Sequence, residues 1–258
     1  MLLNHICFGD SHAKSIVMLH GLLGSARNWV TIGGRLAIET NAYAVDLRNH
    51  GASPHADEMT YQDMAEDVVE WLDSQKLEDV HLVGHSMGGK VAMLIATNYP
   101  EQVRCLTIAD IAPKSYHPHF REAFEAMKAV NPNDFSRIKD VELALAAHLG
   151  DPLMRQFLVT NLKRNPDGNF DWQVNLRSID HHLKHLSSSP MNWTDQFWGP
   201  TQLLHGENSD FVSPDDFEAV EHHFPSCQFV EVPNAGHNVH IDQREFVANK
   251  IIIHDKLQ

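Results

Sequence analysis

The stretch that most constrains the fold is LVGHSMGGKV at residues 82–91, in which one serine lies between two glycines. An apolar run precedes it and a segment rich in Ala, Met and Leu follows it, which predicts a buried strand, a sharp turn and a helix. Gly84 and Gly88 permit such a turn because they carry no Cβ. In this setting Ser86 matches the G-x-S-x-G pattern of a nucleophilic serine. A glycine-rich turn that only packs a helix against a strand is the alternative interpretation.

Short apolar runs alternate with helical patterns over the first part of the chain. The runs typical of buried parallel strands are Ile16–Leu19, Tyr43–Leu47, Val80–Val83 and Arg104–Ala109, and the helical patterns are Tyr61–Leu77 and Gly88–Asn98. From Pro113 to about Gly199 the pattern is almost wholly helical. The alternation then resumes with Gln202–His205, Pro214–His223, Cys227–Val232 and Gln243–Leu257.

This order predicts a doubly wound, mostly parallel α/β sheet interrupted by a helical insertion. We expect residues 1–112 and 200–258 to form the sheet-containing core and residues 113–199 to form a helical cap.

A serine hydroxyl becomes a good nucleophile only when a base takes its proton. In sheets with this elbow, the nucleophile, the acid and the histidine follow one another in that order along the chain. His237 satisfies the order, because it lies in PNAGHNVH at 233–240, in the loop after the strand Cys227–Val232. His240 is the rival, but it lies closer to the next helix and is interpreted as a surface or packing residue.

An oxyanion site is predicted from the loop after the first parallel strand. The sequence HGLLG at 20–24 has two glycines, which let a backbone N–H turn toward the serine. Leu22 is the favoured donor and Leu23 the second choice, paired with the N–H of Met87. An ordinary strand-to-helix turn is the alternative.

Several segments together resemble the α/β-hydrolase superfamily: HGLLGS at 20–25, VDLRNHGAS at 45–53, VGHSMGG at 83–89 and PNAGH at 233–237. More narrowly, GHSMGGKVAM, TIADIAP and NSDFV resemble small bacterial esterases of the YbfF type and their mitochondrial relatives. The resemblance implies an eight-stranded sheet, a helical cap after strand six, and hydrolysis of esters or thioesters. Asp46, Arg48 and Gly51 in the second segment are expected to fix their loop.

Two carboxylates compete for the third position of a triad. The G-x-x-D slot of the superfamily reads Gly206-Glu207-Asn208-Ser209-Asp210 here, so the aspartate comes one residue late. Asp110, at the end of the strand Arg104–Ala109, can reach the same imidazole, and the resemblance to YbfF-type esterases favours it. Asp210 is otherwise interpreted as a loop-capping residue. We favour Asp110, and the choice stays open at this point.

Composition limits the partners. With a formal net charge of −14, the chain has no basic surplus for nucleic acid or an anionic membrane. Its three isolated cysteines, weak N-terminal signal pattern and lack of a long apolar run predict a cytoplasmic protein. The HHxxH spacing at 181–185 lacks the glutamate of a metalloprotease motif, so we expect neither a metal nor a cofactor.

These observations predict a serine carboxyl-ester hydrolase that acts on small to medium acyl esters through an acyl-enzyme. An acyl-CoA thioesterase with the same triad is the alternative, and a non-catalytic ligand-binding member of the fold is the rival from another class.

Overall fold

The computed structural model describes residues 1–9, 14–117 and 120–258. In chain order the strands are β1 (His5–Phe8), β2 (Ser15–Leu19), β3 (Asn41–Val45), β4 (Val80–His85), β5 (Val103–Ala109), β6 (Leu162–Arg164), β7 (Phe170–Trp172), β8 (Thr201–Gly206) and β9 (Cys227–Val232). The α-helices are α1 (Val30–Leu36), α2 (Tyr61–Gln75), α3 (Met87–Asn98), α4 (Arg121–Ala129), α5 (Ile138–Leu145), α6 (Pro152–Leu158), α7 (Leu176–Leu186), α8 (Phe217–His223), α9 (Val239–Asp242) and α10 (Arg244–Lys256).

The main sheet is doubly wound, in the strand order β1-β3-β2-β4-β5-β8-β9, and β1 alone pairs antiparallel to its neighbour. Successive side chains of a strand point to opposite faces of the sheet, so each buried strand contributes residues to two hydrophobic cores. Val17 and Leu19 of β2 join the core beneath α2 and α3, whereas Ile16 and Met18 join the core beneath α1 and α10. The sequence pattern predicted strands with apolar side chains on both faces, and β2 has this arrangement.

The strand count corrects the expectation drawn from the resemblance. Among the described residues the main sheet has seven strands rather than eight, because only β1 precedes β2. The helical insertion accordingly follows the fifth strand of this sheet, β5, rather than a sixth.

The insertion between β5 and β8 contains helices α4 to α7 and a two-stranded antiparallel hairpin of β6 and β7. Its buried residues, such as Phe124 and Leu183, belong to the same core as Val91 of α3. The insertion therefore packs directly onto the sheet-bearing part of the chain. Within the described ranges, no helix has the length and apolar character needed to cross a membrane.

Candidate active site

Ser86 occupies a strained turn between β4 and α3, with φ 52° and ψ −118°. The two flanking glycines are sterically required. A Cβ on Gly84 would lie 2.2 Å from the carbonyl oxygen of Gly88, and one on Gly88 would lie 2.5 Å from that of His20. The close approach of β4, α3 and the loop after β2 therefore leaves no room for a side chain on either side of the serine.

Three side chains from distant parts of the chain form a hydrogen-bonded series. Nε2 of His237 lies 3.0 Å from Oγ of Ser86, and Nδ1 of His237 lies 2.8 Å from Oδ2 of Asp110. A carboxylate oxygen only accepts, so Nδ1 carries the imidazole proton and Nε2 is left to accept from the serine. This is the geometry in which a histidine can act as a base toward a hydroxyl.

The carboxylate of Asp110 is fully buried and accepts from several donors. The residue follows β5, which pairs in parallel with β8, so it lies beside the last residue of β8 and the turn that follows. There Oδ1 accepts from the backbone N–H of Gly206 at 2.8 Å, and Oδ2 accepts from the hydroxyl of Ser209 as well as from His237. These donors replace the water that a buried anion has lost.

Asp210 lies outside this group. Its residue is exposed, whereas Ser209, in the family's usual aspartate slot, points to Asp110. The structure thus brings Ser86, His237 and Asp110 together and leaves the competing carboxylate in solvent. Ser209 was missed in the sequence, although its position in the G-x-x-D slot was a signal.

In the loop after β2, the two candidate oxyanion donors, Leu22 and Leu23, have different surroundings. The backbone N–H of Leu23 donates to Nε2 of His50 at 3.1 Å, and Leu23 takes a positive φ of 58°. Leu22 instead lines a cavity together with Ser86 and Met87. Leu23 is therefore engaged elsewhere, while Leu22 and Met87 flank the serine. The sequence reasoning did not single out His50.

The loop at 45–53 has the structural role expected of it. The carboxylate of Asp46 accepts from the N–H groups of Ala26 at 2.6 Å and Ala52 at 2.8 Å. Gly51 lies so close that a Cβ would be 2.1 Å from this carboxyl carbon. Arg48 pairs with Asp67 at 2.5 Å. These contacts hold the loop from which the His50 side chain reaches the loop after β2.

Two further imidazoles lie near His237 and are held neutral. Nε2 of His85 donates to the carbonyl of His237 at 2.9 Å, and burial lowers the pKa of His85 well below its usual value. His240, the rival base, stacks on Trp29 with ring centroids 4.6 Å apart, and burial lowers its pKa to about 3. His240 is thus a core residue, and His85 fixes the backbone that carries His237.

The side chain of Ser86 lines a cavity. Its empty space is about 460 Å³ when the open solvent at its mouth is included. Its apolar lining comes from both the sheet-bearing part and the insertion: Leu22, Ile111, Phe120, Leu183, Leu186 and Phe211. Phe211 also stacks on the ring of His237, with centroids 3.5 Å apart and planes at 15°. A mainly apolar lining with a few polar groups is typical of small-molecule sites. The polar lining of this cavity includes Ser86, Lys90, His117 and Ser187.

Comparison with known proteins agrees with this geometry. The alpha/beta hydrolase fold family matches residues 14–243. The chain is 38% identical over 244 residues to the sn-1-specific diacylglycerol lipase ABHD11 of Mus musculus, covering 91% of this chain and 78% of that protein. It is 32% identical over 246 residues to esterase YbfF of Escherichia coli, covering 94% and 93%.

Among solved structures, a marine microorganism esterase superposes with a TM-score of 0.94 at 34% identity, covering 98% of this chain and 99% of that one. These relatives support a hydrolase activity of the esterase type. The chain belongs to the α/β-hydrolase fold family.

Proposed function

We propose that this protein is a serine carboxyl-ester hydrolase that acts on small to medium acyl esters through an acyl-enzyme. The observation that carries the proposal is the hydrogen-bonded series of Ser86, His237 and Asp110 at the mouth of an apolar cavity. We propose residues 1–112 and 200–258 as the catalytic core and residues 113–199 as the cap that selects the acyl group.

In the first half-reaction, Oγ of Ser86 attacks the ester carbonyl carbon while Nε2 of His237 takes the hydroxyl proton. The carbonyl π electrons move to oxygen, and the backbone N–H groups of Leu22 and Met87 hold the resulting oxyanion. The tetrahedral intermediate collapses, the C–O bond to the leaving group breaks, and His237 passes its proton to the departing alcohol. The product is an acyl ester on Ser86.

In the second half-reaction, His237 removes a proton from water as the water attacks the acyl carbon. Collapse releases the carboxylic acid and returns the proton to Ser86. Asp110 holds the imidazole orientation and stabilises the imidazolium in both halves without itself taking the proton.

Relatives named as esterases and as a lipase support an ester rather than another acyl derivative as substrate. An acyl-CoA thioesterase remains the second candidate, because the same steps cleave a thioester. A non-catalytic ligand-binding role is disfavoured, since such a protein has no need of a complete serine, histidine and carboxylate series.

The direct test is Ser86→Ala assayed with p-nitrophenyl butyrate, together with labelling by a fluorophosphonate probe. We expect hydrolysis to fall by at least about 10³-fold and labelling to disappear. Ser74→Ala is the matched control, because Ser74 is an exposed serine on α2 whose hydroxyl bonds the carbonyl of Trp71. Undiminished hydrolysis by the Ser86 variant would exclude the proposal. Acyl chains of graded length, supplied as esters and as CoA thioesters, separate the two candidate substrates.

A further inference from the structure

Lys90 is a buried cation in the wall of the same cavity. It lies four residues after Ser86 on α3, and its backbone N–H donates to the carbonyl of Ser86. The residue is only 1% exposed, yet it lines the cavity together with the serine. Lysine is almost never buried to this degree without a partner.

The ammonium of Lys90 contacts neutral groups among the described residues, and the other titratable side chains near it are Tyr61, Tyr116, His117 and His185. Nζ donates to the carbonyl of Ser188 at 2.5 Å and lies over the rings of Tyr116, at 4.9 Å from the centroid, and Tyr61, at 5.6 Å. Both phenol protons are committed elsewhere, because Tyr61 donates to the carbonyl of Leu186 and Tyr116 to that of Phe211. An ammonium has three N–H donors, and the carbonyl of Ser188 takes one of them, so Lys90 has further donors for a ligand in the cavity.

No aspartate or glutamate lines this cavity among the described residues. Burial alone lowers the pKa of Lys90 to about 7. Other cations of this part of the chain have carboxylate partners: Lys114 pairs with Asp216 at 2.7 Å, and Lys128 pairs with Asp180 at 3.0 Å. Among the residues that the structure describes, no carboxylate therefore compensates the charge of Lys90.

A buried cation without a counter-ion is costly, and an apolar side chain of similar size would pack at this position without that cost. An anion bound in the cavity removes the penalty, because the ion pair is then formed in a water-poor surrounding where it is strong. The rest of the wall is mainly apolar, with His117 and Ser187 as further polar residues, so a carboxylate at the end of a short hydrocarbon chain fits it.

We propose that Lys90 is a specificity-determining residue that binds the terminal carboxylate of a short dicarboxylic acyl group while the other end of that group is esterified and faces Ser86. The inference rests on the proposed ester hydrolase function and names its substrate class. Ser86 directly precedes α3, Lys90 lies in the first turn of that helix, and both line the same cavity, so a short acyl group can meet both. The ion pair holds the acyl chain so that its carbonyl meets the serine.

Two substrates of equal carbon number test the proposal. Monomethyl glutarate and methyl pentanoate differ at the far end of the acyl chain, and their hydrolysis can be followed by pH-stat at pH 6.5. We expect wild-type kcat/KM to favour the half-ester by at least about tenfold, and Lys90→Met to lower that ratio by at least about tenfold. Lys128→Met is the matched control and should leave the ratio as it is. A wild-type preference for methyl pentanoate would overturn the proposal.

The pH dependence of the same ratio gives a readout that a structural role would not move. Both esters are cleaved by the same catalytic groups, so effects of pH on the cleavage steps are common to both and divide out of the ratio. As pH rises above about 7 the Lys90 ammonium loses its proton, and the wild-type ratio should fall toward that of Lys90→Met. A ratio that is flat from pH 6 to pH 9 in the wild type would contradict binding by the ammonium.

Binding of the product glutarate separates this inference from the proposed function. Calorimetry at pH 6.5 should show glutarate binding to the wild type and at least about tenfold weaker binding to Lys90→Met. Lys90-dependent binding without ester hydrolysis would sink the proposed function and leave the carboxylate site standing. Hydrolysis without a carboxylate preference and without glutarate binding would sink the carboxylate site and leave the hydrolase standing.

Discussion

The hydroxyl of Ser209 donates to Oδ2 of Asp110, the same carboxylate oxygen that accepts Nδ1–H of His237. Oγ of Ser209 also accepts the backbone N–H of Phe211 at 3.2 Å. One small side chain therefore links the carboxylate to the aromatic ring that stacks on the histidine. In the turn after β8, Ser209 occupies the position at which much of the family has its aspartate. Here Ser209 instead orients the carboxylate of Asp110.

Ser209→Ala should lower kcat by about tenfold and the free energy of unfolding by about 1.5–3 kcal/mol, because a buried carboxylate loses a donor. Steady-state kinetics and urea unfolding measure the two effects. Ser209→Thr, which keeps the hydroxyl, should recover most of both losses. Equal behaviour of the Ala and Thr variants would show that the hydroxyl is not the cause.

Asp110→Asn should reduce kcat by about 10³–10⁴-fold, because an amide in place of the carboxylate no longer fixes the imidazole in its productive tautomer. Asp210→Asn is the paired variant, and its exposed side chain should leave kcat within about twofold. The assay is p-nitrophenyl butyrate hydrolysis by both proteins at matched folded concentration. The reverse ranking would assign the acid to Asp210.

The serine and the histidine were easier to propose from the sequence than the aspartate, because both are local signals. The Gly84 and Gly88 spacing, the strand before Ser86 and the helix after it lie within one short segment, and His237 follows the last strand directly. No local pattern distinguishes Asp110 from Asp210 in the same way. That choice depends on how β5 and β8 pair in space, and no periodicity reports the register between two strands.

Ser209, His50 and Lys90 were missed for related reasons. His50 accepts the backbone N–H of Leu23 in another loop, and such a contact cannot be inferred from the residue types. Lys90 stands in a helix rich in Ala and Met, where its burial under the insertion cannot be read from the pattern. The expected eighth strand came from the resemblance, and the described chain before β2 has one strand only.

Gly84→Ala should abolish folding or lower the unfolding free energy by more than about 4 kcal/mol, since its Cβ would lie 2.2 Å from a backbone oxygen that cannot move aside. Gly34→Ala is the matched control. Gly34 is exposed in α1 with open space around it, so the change should stabilise the protein by up to about 1 kcal/mol. Urea unfolding followed by circular dichroism measures both. A mild effect at Gly84 would contradict the close approach of β4 and α3.

His50→Leu should lower kcat by about tenfold with a smaller change in KM, because the Leu23 N–H loses its acceptor and the oxyanion loop shifts. His50→Gln, which can still offer an oxygen, should recover part of kcat. His55→Leu, at an exposed position of the same loop, serves as the control. A loss confined to KM would point to substrate binding instead of loop positioning.

The stability gained by Lys90→Met should depend on pH. The pKa of Lys90 is about 7 in the folded protein, below its ordinary value of 10.5. The folded state therefore disfavours the charged form, and this penalty grows as pH falls from about 10.5 to about 7 and is complete below that. The variant's Tm advantage over the wild type should be larger at pH 6 than at pH 9.5. An equal difference at both pH values would mean that burial of the charge is not its source.

Ser86 and His237 are 151 residues apart in sequence, and Asp110 and His237 are 127 apart. Under the proposed mechanism, a chain still emerging from the ribosome has its nucleophile and its acid long before it has its base. Such a chain can hydrolyse nothing until β9 has docked beside β8 and delivered the imidazole. Turnover would then report that the chain has folded at least as far as His237, and the cell would be spared an ester hydrolase that acts before that point.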